Sequence, residues 1–511
     1  MPSVVRPLVL AMALLALTPA SALAEWRRAE SPNFIVYSDG SERTLREYTA
    51  KLERFDGLMR RALGAGPQTE IRKLPVYLVN DGRALRVAVP QLPDGIDGYY
   101  SSSDNDTFAI LVRGRSDDIL LHEYVHHFMA RNGDSRNPGW LSEGFAEYFA
   151  TATVSESGRA TFGLPDPGRQ YALQQNRWLP MDELLRAKGS LDIEGTTARG
   201  MYYAQAWALT HWTLSNADRV RSLAAFQTAV SRGQDPVEAW QATFGMTQAQ
   251  LTAQLRAYAQ GPLRYAELTI QPVAPTITVS VLSPAADAVL LPMINARAPD
   301  PSSVDGPALL GTLRSAAGRF PDDPLALVGL AHAEKLWGDE PAAEAALTRA
   351  LDLQGDNLDG LLLMATIFEE RGDIAPDQAD TVSNHRTAQG FLRRALDADP
   401  TDYRIYAALA RIRSGAPDYP NDNDLLTWEL ALQFAPQVMS VRANAAIAMM
   451  EGGRYDDAVA ILAPLVSDPH GGSGVEWSRN LLQEIARRRA AAAGDTDDWD
   501  EAGDDAEDAG A

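Results

Sequence analysis

The 511-residue sequence contains no cysteine. Disulfides, cysteine ligands to a metal and a lipid-modified N-terminal cysteine are therefore excluded. Any zinc ion would have to be held by His, Asp or Glu, a donor set that suits a catalytic site better than a structural one. Basic residues are scarce as well: 46 Lys and Arg against 68 Asp and Glu leave a formal net charge of −22. A protein that neutralises phosphates needs a basic face, so this balance argues against nucleic acid or an anionic membrane surface as the main partner. Part of the acidity is local. The stretch "GDTDDWDEAGDDAEDAGA" (494–511) has too few apolar side chains to build a core and reads as a disordered acidic tail. After the N-terminal stretch no apolar run is long enough to span a bilayer. No phosphate loop, nucleotide fingerprint or serine elbow stands out.

What is present begins with a leader. Arg6 precedes the apolar run "LVLAMALLAL" (8–17), and Ala22-Leu23-Ala24 has the small-x-small pattern of a cleavage site before Glu25. Residues 1–24 are read as a short signal peptide of bacterial type. The protein is thus expected to be exported, to the periplasm first and to the exterior second, with no membrane span in the mature chain. Apolar content of 45% and charged content of 22% are ordinary for folded domains, and the length calls for two or three of them.

The first domain is expected over 25–261. "NFIVYSD" (33–39) and "LPVYLVN" (74–80) read as strands, and 97–114 as a hairpin turning near Asp104-Asn105-Asp106. Between the first two strands, Leu45, Tyr48, Leu52, Phe55, Met59 and Leu63 recur at helical spacing behind Ser41, a plausible cap. Helical stretches follow at 117–131, 140–152 and 200–216. Strands first and helices later make this an α+β domain. Residues 262–305 change to a Pro-, Ala-, Val- and Thr-rich composition and are read as a connector with some β content and a short helix.

The chemistry concentrates in "LLHEYVHHFM" (120–129). His122 and His126 are four residues apart, so on a helix their imidazoles leave one face one turn apart and can share one zinc ion. Glu123 lies about 100° further round the helix, beside the ion and not on it. A carboxylate there can take a proton from water activated by the metal and return it later. A catalytic zinc needs a third protein ligand. Downstream, "NPGWLSEGFAEYFA" (137–150) opens a second helix, and a helix–turn–helix return of this length could bring Glu143 to the metal.

"HEYVH" followed by "WLSEGFAEYF" resembles the gluzincin metallopeptidases, and more narrowly the peptidase-MA-like bacterial family with attached tetratricopeptide repeats. The resemblance covers roughly 30–260 and is specific around 122–147. It implies an α+β zincin-like peptidase domain with one catalytic zinc ion. His122, His126 and Glu143 would be its ligands and Glu123 the general base. It also implies that Glu147 holds His122 from behind, as a ligating imidazole gives its other N–H to a carboxylate. A tyrosine that stabilises the oxyanion is implied on "RGMYYAQAWALTHWTL" (199–214), with Tyr203 as the first choice and Tyr202 in reserve. One departure matters: the G-x-M-E-N motif with which membrane-alanyl aminopeptidases read a free amine is missing. The metal site carries over, and N-terminal exopeptidase specificity does not. The strand "TFAILVR" is expected to be the sheet edge onto which an extended peptide adds.

From 306 to 493 a weak repeat near the 34-residue period resembles the tetratricopeptide family, an all-α helical solenoid. Gly338, Ala343, Leu347 and Ala350 are echoed by Ala388, Leu392, Ala395 and Pro400, then by Trp428, Ala431 and Pro436, then by Gly453, Ala458 and Leu462. An insertion falls around 373–386, and 476–493 reads as the capping helix.

The expectation is therefore an exported zinc metallopeptidase acting on a peptide or protein substrate, with repeats that recruit the substrate or a protein partner. The alternatives are a tetratricopeptide scaffold with an inactive peptidase-like domain, or a zinc hydrolase of the same clan acting on other bonds. His127, His211, His332, His385 and His470 are read as structural or scattered, and Trp140 as a core anchor.

Overall fold

The computed structural model describes residues 25–66, 72–93, 95–115, 117–132, 137–298, 300–466 and 472–501. The leader at 1–24, His470 and the end of the acidic tail lie outside the described residues.

The N-terminal region is an α/β unit built on a mixed sheet. Its strands are β1 (Arg27–Glu30), β2 (Phe34–Ser38), β3 (Leu74–Val79), β4 (Gly98–Ser102) and β5 (Thr107–Val112). Three short ones come later: β6 (Thr153–Val154), β7 (Arg159–Phe162) and β8 (Ala266–Thr269); β9 (Thr278–Val281) closes the set. The main sheet has six strands in the order β4-β5-β3-β2-β1-β9, and β6-β7-β8 form a second, three-stranded sheet. β2, β3 and β5 run parallel, while β4, β1 and β9 are antiparallel to their neighbours. β3 and β5 are buried along their whole length, as their unbroken apolar sequence requires of strands covered on both faces.

The helices of this unit are α1 (Glu42–Leu63), α2 (Gly82–Ala88), α3 (Asp118–Asn132), α4 (Gly139–Ala150), α5 (Pro167–Gln175), α6 (Met181–Arg186) and α7 (Thr196–Leu214). They are followed by α8 (Ala217–Ser231), α9 (Pro236–Phe244) and α10 (Gln248–Gln260). Ser41 caps α1 by accepting from the Thr44 amide. One face of the sheet (Phe34, Val36, Leu74, Val76, Leu111) packs on α1 and α3. The other (Tyr77, Val79, Phe108, Ile110, Val112) packs on α2 and on α11 (Ala286–Ala296).

The strand "TFAILVR" is not the edge. β5 lies between β3 and β4, so the open edge beside α3 belongs to β4. Its outward groups follow from the ladder. The Ser103 amide donates to the Asp106 carbonyl and the Val112 amide to the Asp97 carbonyl, so odd-numbered residues face β5. Gly98, Tyr100 and Ser102 therefore turn their N–H and C=O groups away from β5, Gly98 being buried and Tyr100 and Ser102 part-exposed.

Residues 262–305 do more than connect. β8 completes the small sheet, β9 completes the main one, and α11 is apolar on two sides. Ala286, Leu290 and Ile294 face the sheet, whereas Ala285, Val289 and Met293 enter the core of the helical half. The i, i+4, i+8 spacing of each set makes one helix the shared wall of two cores.

The C-terminal half is all-helical. Its helices are α12 (Gly306–Arg319), α13 (Pro324–Trp337), α14 (Glu340–Leu353), α15 (Leu358–Asp373), α16 (Gln378–Ala398), α17 (Tyr403–Arg413), α18 (Asp422–Phe434), α19 (Met439–Glu451), α20 (Tyr455–Val466) and α21 (Gly472–Glu501). They stack in chain order, each packed on the next, as a helical solenoid. The small and apolar repeat positions explain the stacking: Ala343, Leu347, Ala350, Ala388, Leu392, Ala395, Ala431, Ala458 and Leu462 are wholly buried. The insertion is helical from 378 on, where it lengthens α16, and His385 there packs on Gly372 and bonds Asp373. The helix that opens at Gly472 runs to Glu501, so it takes in the first residues of the stretch read as a tail.

The solenoid grips the tip of the β4–β5 hairpin. Tyr403 donates its hydroxyl hydrogen to the Ser103 carbonyl, Arg404 bonds the Asn105 carbonyl, and Ser102 donates to the Gln437 carbonyl. Beside this grip runs a closed ring of alternating charge. Arg72 pairs with Asp106 (2.5 Å), Asp106 with Arg297 (3.3 Å), Arg297 with Asp359 (2.8 Å), Asp359 with Arg404 (3.4 Å), Arg404 with Asp402 (2.7 Å) and Asp402 with Arg72 (3.2 Å). Burial disfavours both Asp359 and Asp402 as anions, but the arginines prevail and hold them well below the usual carboxylate range.

Candidate metal centre

α3 is buried both by the sheet and by α4. Leu121, Tyr124, Val125 and Phe128 pack into the core beneath the sheet. The Tyr124 hydroxyl donates to Asp56 of α1 (2.8 Å), which pins the helix. His122 and His126 leave its other side, one turn apart.

Glycine brings the third group to them. A Cβ on Gly139 would strike the Lys188 carbonyl, and one on Gly144 would lie 2.5 Å from the Ala206 carbonyl of α7 and closer still to Thr210 Oγ1. The bare Cα at 144 thus lets α4 lie directly on α7, and its neighbour Glu143 is wholly buried against both imidazoles. His122 Nε2 and His126 Nε2 are 3.2 Å apart, and Glu143 Oε2 is 3.2 Å from the first and 3.4 Å from the second. A tetrahedral ion with bonds of about 2.0–2.1 Å spaces its ligand atoms by about 3.3 Å. The donor set and its spacing therefore fit one such ion, and His122, His126 and Glu143 are the group among the described residues that could hold a metal.

The surroundings favour a cation. His122 Nδ1 lies 3.4 Å from Glu147 Oε1, on the side away from Glu143. Burial disfavours the imidazolium, yet Glu143 and Glu147 outweigh it and raise His122 to about 10. Burial likewise pushes Glu147 up, but hydrogen bonds from His122 and Arg169 bring it down to about 2. Arg169 of α5 holds that carboxylate with two bonds, Nε to Oε2 (3.0 Å) and Nη2 to Oε1 (2.8 Å).

Tyr203 and Tyr202 separate clearly. The Tyr203 ring stands edge-on to His122 with centroids 6.0 Å apart, and Arg169 lies 4.8 Å over it. Its hydroxyl donates to Ser190 Oγ (3.0 Å), and burial followed by the field of Glu143 raises its pKa, so the hydroxyl keeps its proton. Tyr202 is 0% exposed, and its hydroxyl has no hydrogen-bond partner among the described residues. An enclosed hydroxyl cannot meet a substrate, which removes the reserve choice. Glu123 is half-buried, and its charge contributes to the raised pKa of both Tyr203 on α7 and Tyr100 on β4.

Sequence reasoning missed Arg169 and Tyr100. Arg169 follows Glu147 by 22 residues on another helix, and nothing local announces it. The Tyr100 hydroxyl and His127 Nδ1 share a hydrogen bond (3.0 Å), and burial holds the His127 imidazole well below its ordinary pKa. His127 thus braces β4 and takes no part in the trio. His211 is engaged at both nitrogens by Tyr258 (2.6 Å) and the Arg264 carbonyl (2.9 Å), and His332 faces Arg297 (3.4 Å). Trp140 is buried against Phe226 and Trp240.

Among the described residues no helix is long and apolar enough to cross a membrane. A family model described as "Protein of unknown function (DUF1570)" matches residues 119–238, the segment that carries the trio, Glu147, Arg169 and Tyr203. No curated protein matches the chain. The chain is similar to a solved structure described as a thermophilic TPR protein of Thermus thermophilus, with 16% identity, 40% of this chain and 98% of that one covered, and a TM-score of 0.33.

Proposed function

We propose that the protein is an exported zinc metallopeptidase of gluzincin type with a zincin-like N-terminal domain. The observation that carries this reading is the Nε2, Nε2, Oε2 triangle of His122, His126 and Glu143, with Glu123 one residue along the same helix. Two His and one Glu form a common catalytic zinc set, and a zinc ion in such a set activates water and polarises a carbonyl.

The chain's own groups supply the rest. Glu123 accepts a proton from the attacking water and returns it to the leaving amine. Glu147, itself held by Arg169, fixes the ring plane of His122 and the tautomer with its proton on Nδ1. Tyr203, kept protonated, offers a donor to the developing oxyanion once its hydroxyl turns from Ser190. The outward backbone groups of Tyr100 and Ser102, both part-exposed, can align an extended polypeptide beside α3. The solenoid holds that hairpin in place, and its remaining surface is available to a substrate or protein partner.

The test is the metal content of the purified mature protein, together with cleavage of a peptide library with and without chelator. About one zinc ion per chain and chelator-sensitive cleavage are expected. Metal-free protein, or cleavage indifferent to chelator, would overturn the proposal. A zinc-loaded protein that leaves peptides intact would point instead to another hydrolysable bond.

A further inference from the structure

The open edge of β4 does not end in solvent. At Ser102 it runs into a groove of about 580 Å³ shared between the hairpin tip and the last helices of the solenoid. Ser102 and Asp104 form one wall, and Val438, Met439, Ala443 and Trp477 the other. The apolar wall is open: Trp477 is 40% exposed, an unusual state for a tryptophan beside other apolar side chains. The groove exists because the solenoid clasps the hairpin, through the Ser102–Gln437 and Tyr403–Ser103 hydrogen bonds. It therefore lies at one end of the strand that packs beside α3, the helix of His122 and His126. Tyr100, whose hydroxyl bonds His127 (3.0 Å) one position beyond His126, and Ser102, at the groove, are two residues apart, about 7 Å along a strand.

We propose that this groove is a specificity pocket for an extended polypeptide substrate, taking one apolar or aromatic side chain about two or three residues from the bond that is cut. The occupant follows from the geometry. A chain added to β4 sends alternate side chains to one side of the strand, and at Ser102 the strand meets the wall of Met439 and Trp477. The inference rests on the peptidase reading for its substrate, and it gives the solenoid a direct part in selecting that substrate.

The experiment uses the full mature chain carrying Glu123→Gln, so that peptides bind without being cut. Fluorescein-labelled 12-residue peptides, otherwise polar and differing only in the position of a single Phe replaced by Ser, are titrated by anisotropy. The best-placed Phe is expected to tighten binding by about tenfold, the value of burying one large apolar side chain partway. Trp477→Ala should abolish that preference, and so should Ala443→Trp, which fills the groove by addition and serves as the independent variant. Binding of the all-polar peptide should be unchanged in both. A Phe preference that survives in both variants, or no preference at any position, overturns the pocket. The same variants with Glu123 restored are assayed on four-residue peptides, which are too short to reach the groove. Loss of chelator-sensitive cleavage in the parent chain would defeat the peptidase reading, while the anisotropy result would still decide the groove.

Discussion

Arg169→Met is the most informative change behind the metal trio. It keeps the aliphatic stem but removes both bonds to Glu147 and the cation over Tyr203. Glu147 stands at about 2 against its ordinary 4.5, a shift that corresponds to about 3 kcal/mol shared between His122 and Arg169. Arg169 is 31% exposed, so solvent screens its part, and about 1–2 kcal/mol of stability should be lost on substitution. The sign fixes the pH window. A carboxylate depressed by folding stabilises fully above its unfolded pKa, and the contribution is lost as pH falls from about 4.5 through 2. Arg169→Met should therefore narrow the difference in stability between about pH 5 and about pH 3, read by urea unfolding at each. His122 would also be less firmly oriented. Removing such a partner typically costs about 10–100-fold in metal affinity, and Arg169, acting through Glu147, should cost about tenfold, with Glu147→Gln costing more. The assay is zinc competition against a chromophoric chelator. If Glu147→Gln and Arg169→Met both keep parental zinc affinity while losing stability, the link from Arg169 through Glu147 to the metal is wrong.

Other outcomes follow from the same geometry. Gly144→Ala should destabilise the protein by about 1–3 kcal/mol and weaken zinc binding together, because α4 must retreat from α7 and carry Glu143 with it; denaturant unfolding and zinc competition read the two effects. Arg404→Ala opens the part-buried charge ring between Asp359 and Asp402, each of which keeps one arginine, and should cost about 1–3 kcal/mol, seen as early proteolysis at the junction of the two halves. Tyr203→Phe should lower kcat by about 10²-fold with zinc content unchanged. Truncation after 305 should yield poorly soluble protein, since it bares Val289 and Met293 of α11 and frees the hairpin tip; a soluble, folded fragment would contradict the shared wall.

Much of the site was legible because its grammar is local. The 122/126 spacing, the acid at 123 and the cap at Ser41 are each decided within one or two turns of helix. The small residues at 343, 388 and 458 announced close helix packing for the same reason, and all are buried. What was illegible depends on partners far along the chain. β5 has the composition of any buried strand, and only its pairing with both β3 and β4 makes it interior. α11 shows two apolar stripes whose separate cores lie outside its own sequence. The small sheet joins residues near 160 to residues near 268, beyond any local pattern. Arg169 is missed likewise, since its pairing is set by α5 crossing behind Glu147.

The central claim is that one acid beside a three-ligand metal site carries the proton. It is tested most directly by measuring zinc content and peptide cleavage side by side for the parent protein and Glu123→Gln. The account predicts about one zinc ion per chain in both and cleavage about 10³-fold slower in the variant. A variant that keeps both its zinc and its full activity would contradict it.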